Sequence, residues 1–508
     1  MLTHIDDFLQ KALLQNPKKT AFVDEFSNLN KKEYSYKEFD LEAKKLASKI
    51  LSLLSTLNSP TQSPILIILP KSIACLVSFF GVAKSGNFYT LIDEKAPKER
   101  ILKVLEILKP SILITSKSLN LDLNFKQIPH ILYAEDFSSF KIDENALKEA
   151  KARHIDTNLL YVFFTSGSTG VPKGVSIAHK SVIDYTFWVC DTFKISKNEC
   201  LANQAPFYFD NSILDIFSSI KAGATLHLLP NSLFAFPNKI LAYLEERQIS
   251  FIFWVPSVLI YFANTSALDN FALNSLKKVL FCGEIMPNKQ LNYWREKLPQ
   301  SLFANLYGPT EITDVCSFYV VDREFSDEEL LPIGKACKNT ELLVFDEDNK
   351  LISPCEVGVK GELFVRGTSL SLGYFRANEK TEQAFLQNPL HNDYLDLVYR
   401  TGDIVAYNEV GELLCFGRKD GQIKISGHRV ELGEIESVIN ALEGVKNTAC
   451  IFKDEMITCF YEGEKLNLKT LLKDKLPSYM IPRQFIRVDK FKLNDNGKID
   501  RKVLQNEL

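Results

Sequence analysis

The chain has 508 residues, with 60 Lys and Arg set against 63 Asp and Glu, a formal charge of -3. A length of that order allows about three domain-sized units and a core that needs no disulfide or metal staple. The near-neutral balance leaves no footprint for nucleic acid or anionic membrane, and 36 Phe and 18 Tyr exclude long disorder.

The N-terminus, Met1-Leu2-Thr3-His4-Ile5-Asp6-Asp7, carries acid where a secretory signal needs base. The first short apolar run, Pro64 to Leu69, reads as a buried strand. Ile73 to Ala83 is apolar but too short to span a bilayer, and reads as core. Leu159 to Phe164, Phe251 to Trp254 and Lys278 to Cys282 are further strands, apolar on both faces as a helix-covered parallel sheet requires. Phe251 to Ala263 is broken by Pro256 and is also read as core. Strands and helices alternating over most of the chain predict an α/β architecture of layered subdomains. Near residue 416 the composition turns polar and Gly-bracketed, which predicts a linker and a boundary at Lys419–Asp420. A short strand, Gln422 to Ile425, follows, then a helix with Ile435, Val438, Ile439 and Leu442 on one face. The expected division is a large body, 1–419, and a small α+β tail, 420–508. None of the 10 cysteines forms a CxxC pair, so reduced, mostly buried thiols and a cytoplasmic location are expected.

The stretch Phe164-Thr165-Ser166-Gly167-Ser168-Thr169-Gly170-Val171-Pro172-Lys173-Gly174 leads from a strand into small hydroxyl and glycine residues and then a lysine. Glycines let backbone N–H groups approach an anion, hydroxyls add donors, and Lys173 adds charge. The spacing is not that of a Walker A loop. On the residues alone it is either a polyphosphate cradle or a Ser/Thr/Gly surface loop.

This loop resembles the signature of adenylate-forming enzymes, a family that includes acyl-CoA synthetases, luciferases and amino-acid adenylation domains. The resemblance runs through ordered motifs from about residue 20 to 502: Tyr307-Gly308-Pro309-Thr310-Glu311, Gly361 to Gly367, Tyr399 to Asp403, Gly417 to Asp420, Lys424 to Glu434, Leu476 to Pro482, and Asn496 to Asp500. Ala83 to Asp93 keeps only part of the family wording. The chain is most similar to nonribosomal peptide adenylation domains and D-alanine–carrier protein ligases. An acyl-CoA synthetase-like fold is implied, with the tail rotating about Asp420.

The resemblance implies ATP and Mg²⁺ as cofactors. Thr165, Ser166, Gly167, Ser168, Thr169, Gly170 and Lys173 would hold phosphates. Glu311 would ligate Mg²⁺, Asp403 would accept the ribose hydroxyls, and Tyr307 would stack on adenine beside Asn305. Gly283, Glu284, Gly308, Thr310 and Arg418 complete the ATP set. Thr165, Lys173, Glu311 and Lys498 are the catalytic set, with Lys498 bridging carboxylate and phosphate. After adenylation Lys424, Gly427 and Arg429 would face the adenylate, and Gly427 would leave room for a pantetheine arm. Phe209 and Asp210 would meet the substrate, Asp210 pairing with an α-ammonium. Asn211, Leu214, Phe253, Leu280, Cys282, Leu306, Asp314 and Val315 would line its pocket.

Each residue also has a plain structural role open to it: a helix cap for Asp210, a turn for Asp403 and Lys498, core packing for the pocket wall. The implied function is activation of a small amino acid, alanine first, and transfer to phosphopantetheine on a separate carrier protein. The carrier is expected as another molecule because Leu508 follows shortly after Lys498 and no Ser-centred attachment motif lies near either end. Asp314 departs from an alanine pocket, since an unpaired carboxylate facing a methyl group is unfavourable; either it points away, or it accepts a hydrogen bond from a polar substrate such as serine. An acyl- or aryl-CoA ligase is the nearest alternative, opposed by Asp210. A non-catalytic nucleotide-binding protein is the other, opposed by Lys173, Glu311, Asp403 and Lys498 together.

Overall fold

A computed structural model describes residues 2–27, 32–57, 62–119, 125, 127–167, 171–419, 422–425, 427–492, 499 and 501–508, without the side chain of residue 502. Among the described residues the strands form five sheets. One has six strands, in the spatial order His130–Tyr133, Ile112–Thr115, Pro64–Ile67, Phe88–Leu91, Leu159–Thr165 and Lys173–Ala178. All neighbours are parallel except the last pair. A nine-stranded sheet carries Phe251–Trp254, Lys278–Cys282 and Leu302–Tyr307 side by side and parallel near its middle.

Parallel strands need crossover helices, and these bury both sheet faces. The helix Ile73–Lys84 is the extreme case, with every residue buried. One apolar cluster runs through both sheets, so helices such as Tyr36–Thr56 and Ser212–Ala222 lie in a shared core. A five-stranded antiparallel sheet contains Leu397–Tyr407 and Leu413–Arg418. From Gln422 onward the chain builds a core of its own, where Leu432–Asn440 packs on Val445–Lys453 and Met456–Gly463. Leu442 falls beyond the end of that helix but still packs against its cluster.

All ten cysteines are free and seven are buried. Among the described residues no helix is long and apolar enough to cross a membrane.

Three imidazoles, His4, His154 and His179, form a triangle with ring centroids 4.3 to 4.5 Å apart. His4 is held between the Asp6 N–H at 2.9 Å and the Ala83 carbonyl at 3.0 Å. Burial lowers its pKa from 6.5 to about 4. Folding therefore disfavours its proton, and the stability tied to its neutral form is lost as pH falls from 6.5 to 4. That shift is worth about 3 kcal/mol. Urea denaturation across this window should show a shallower loss for His4→Gln than for the wild type; equal slopes would show that His4 does not control it.

Candidate active site

The expected phosphate loop lies at the end of the six-stranded sheet. Thr165 closes the strand Leu159–Thr165 and pairs in register with Lys173 on the returning strand. A side chain on Gly167 would put its Cβ 2.2 Å from the Val171 carbonyl oxygen, so only glycine fits the turn. Ser168, Thr169 and Gly170 lie outside the described residues. Lys173 Nζ stands 5.3 Å over the Tyr374 ring and 3.9 Å from Glu431. Burial, then the neighbouring Arg429, lower its pKa.

Glu311 follows the strand Leu302–Tyr307 and is 0 % exposed. Tyr374 OH donates to Oε1 at 2.7 Å, and Arg429 Nη1 reaches both carboxylate oxygens at 2.8 Å. Burial opposes its charge, yet Arg429 and Lys173 outweigh burial and hold the carboxyl at about 2. Asp403, on the neighbouring antiparallel sheet, accepts hydrogen bonds from Tyr307 OH and from Arg418 Nη1, the latter at 3.5 Å. Asn305 commits its amide N–H to the Pro332 carbonyl at 2.8 Å. Gly308 packs on the next turn, where a Cβ would sit 2.3 Å from the Asp314 carbonyl.

The hairpin Gln422–Ile425 and His428–Glu431 lies against this face, with Lys424 opposite Arg429. Ser166 Oγ donates to the Arg429 carbonyl at 2.8 Å. Gly427 has φ +80, and a Cβ there would meet Val255 Cγ1 at 2.7 Å. Its N–H donates to Glu284 Oε1 at 2.9 Å, while Glu284 Oε2 takes the Ser257 N–H. Glu284, expected on ATP, thus holds tail backbone in this arrangement. Gly283, with φ +105, comes within 4.0 Å of the Gly427 Cα at its Cβ position. Phe209 meets the His428 ring at 4.3 Å, and His428 stacks on Tyr479 at 3.5 Å. Asp420 and Lys498 lie outside the described residues.

Asp210 accepts the Asn211 N–H at 3.1 Å and bonds Thr310, but burial still raises its carboxyl pKa. Leu214, Phe253, Leu280, Cys282, Leu306 and Val315 are all buried in one core cluster. Burial, then Asp314, push the Cys282 thiol up. Asp314 does not point away from this wall: it is buried, and both Asp210 and Lys424 act on its carboxyl. The arrangement brings Lys173, Arg429, Glu311 and Glu431 together, and cations so gathered are what joining a carboxylate to a triphosphate demands.

The family model for AMP-binding enzymes matches residues 9–375. The chain belongs to the AMP-binding enzyme family. The D-alanine--D-alanyl carrier protein ligase of Bacillus cytotoxicus is 31% identical, covering 98% of each chain. The ligase of the same name from Listeria innocua is 34% identical, covering 93% of this chain and 94% of that one. Among solved structures, the Vibrio cholerae adenylation domain AlmE in complex with glycyl-adenosine-5'-phosphate superposes with a TM-score of 0.83 at 22% identity, covering 100% and 98%. This AMP-binding enzyme is therefore an ATP-dependent, AMP-forming ligase.

Glu311 has the donor chemistry of a Mg²⁺ ligand, a hard carboxylate oxygen, and here its oxygens are taken by Tyr374 OH and Arg429. The Arg429 guanidinium, bonded to both its oxygens, marks it as a place where positive charge is stabilised. Bound there, Mg²⁺ would neutralise phosphate charge.

Sequence reasoning missed Tyr374, which shares its hydroxyl with Glu311, and Tyr185, which donates to Asp314. It also missed Arg100, whose 3.4 Å contact with Glu434 ties the body to the tail helix. Tyr374 follows the Gly361 to Gly367 motif closely enough to have been noticed. Tyr185 and Arg100 sit on helices with nothing local to mark them.

Proposed function

We propose that this ligase activates a small α-amino acid as its adenylate and passes it to the phosphopantetheine thiol of a carrier protein. The observation that carries the reading is Asp210. The residue is half-buried, its carboxylate is hydrogen-bonded by Asn211 N–H and Thr310 with Lys424 acting on it, and among the described residues it makes no ion pair within 4 Å. A carboxylate removed from much of its water and left without an ion pair is costly, so the site favours an acid that brings its own ammonium. The carrier ligases among the relatives support the acceptor.

In this reading the loop from Thr165 to Lys173 receives the triphosphate, Asp403 accepts the ribose hydroxyls, and Tyr307 with Asn305 frames adenine. Glu311 would hold Mg²⁺. Lys498 would bridge the substrate carboxylate and phosphate in the first step. The tail then turns about Asp420 and brings Lys424, Gly427 and Arg429 to the site, the arrangement described above. Alanine was the sequence expectation, resting on Cys282 and the apolar wall; Asp314 speaks against a bare methyl group.

An acyl-CoA ligase shares the first half-reaction, but gives Asp210 no partner. Asp210→Ala is expected to lower amino-acid-dependent ATP–pyrophosphate exchange by about 10²-fold or more, since the variant loses its charge partner for the ammonium. Exchange retained within about threefold would remove the amino-acid reading, and thioester formation on CoA with a simple acid would replace it.

A further inference from the structure

The region around Asp210 holds more polar chemistry than an α-amino group uses. Asp314 is 1 % exposed, and Tyr185 OH donates to its Oδ2 at 2.6 Å. Burial, then the Asp210 carboxyl, push its pKa well up. The backbone is left-handed at two successive residues, with φ +55 at Thr313 and +77 at Asp314. Non-glycine residues there are strained and persist where surrounding structure imposes them. Here Thr313 Oγ1 is tied to the Ser369 carbonyl at 2.7 Å, and Gly308 packs beneath the Asp314 carbonyl.

A second group points the same way. Tyr161 is 0 % exposed, its hydroxyl has no hydrogen-bond partner among the described residues, and both Asp210 and Asp314 act on it. A buried carboxyl, a half-buried one and a buried unpartnered hydroxyl therefore share one region with an apolar wall. A methyl side chain would satisfy none of them. Lys424 of the tail hairpin acts on both carboxyls when the tail is docked; with the tail turned away, an α-ammonium pairs with one carboxylate and leaves the other without a cation.

We infer that Asp314, held by Tyr185, binds a side-chain ammonium, so that the substrate is a short diamino acid. The assignment rests on the amino-acid reading above. The α-ammonium meets Asp210, the second ammonium meets Asp314, and Tyr161 OH supplies a further acceptor. Phe253, Leu280, Leu306 and Val315, all buried, limit the length of the side chain.

The test is ATP–pyrophosphate exchange by the full chain with diaminopropionate, diaminobutyrate, ornithine, serine, alanine and leucine. One diamino acid should exceed alanine by about 10²-fold or more, because a site built around polar groups strongly rejects analogues that lack them. Asp314→Asn, which keeps the shape and drops the charge, should cut that ratio at least about tenfold. Tyr185→Phe should narrow it in the same direction, and serves if the Asp314 variant does not fold. Serine or alanine as the best wild-type substrate, or an unchanged ratio in both variants, overturns the assignment while leaving amino-acid activation standing. Absence of exchange with every amino acid overturns both.

Discussion

Arg429→Ala is expected to slow thioester formation by about 10²-fold while changing ATP–pyrophosphate exchange by less than about threefold. Arg429 comes from the tail hairpin, and Glu311 from the turn after a central strand of the body. Their 2.8 Å contacts join a fully buried carboxylate to a guanidinium only 12 % exposed. Removing one partner of such a pair costs about 3–5 kcal/mol, and about 1.4 kcal/mol is a factor of ten. The cost falls on the arrangement in which the hairpin meets Glu311, and not on one in which the tail is turned away. Lysine at 429 should recover only part of the loss, since one ammonium lacks the planar fork. Single-turnover transfer to a carrier, measured beside exchange, decides the matter; equal losses in both assays would mean that Arg429 does not discriminate between the two steps. The carboxyl held at about 2 also sets a pH expectation. Its contribution is complete above the ordinary carboxylate value near 4.5 and fades only as pH falls toward 2.

Lys173→Ala should lower pyrophosphate exchange by about 10² to 10³-fold, with the weaker effect on ground-state ATP binding. A donor placed where charge develops is worth that much in a site sheltered from water. Lys173 is placed by strand register opposite Thr165, and its ammonium is shared between Glu431 and the Tyr374 ring. Arginine should rescue in part. Exchange within about threefold of the wild type would assign phosphate neutralisation to the rest of the loop.

The strands of both parallel sheets were legible because residues covered by helices on both faces read as continuous apolar runs: Phe251–Trp254 and Lys278–Cys282 form over the expected residues. The helix face of Ile435 and Ile439 was legible for the matching reason, a period of 3.6. Fewer of the contacts within the site were legible. Glu284 reads as an ATP-side acid in its motif, but its partners are backbone N–H groups of Ser257 and Gly427. Asp314 could have faced either way on sequence, and the fold buries it against the Tyr185 hydroxyl. Tyr185 is one tyrosine among 18 until folding brings its hydroxyl to Asp314, 129 positions away along the chain.

Residue order by itself determined the α/β class, the phosphate-type loop and the family, because periodicity, glycine placement and motif spacing are properties of neighbours along the chain. Tertiary structure alone decided which charges meet. The Glu311–Arg429 pair spans 118 positions and Ser166 bonds Arg429 across 263. Electrostatic pairing depends on distance and burial in space, and neither is written in sequence separation.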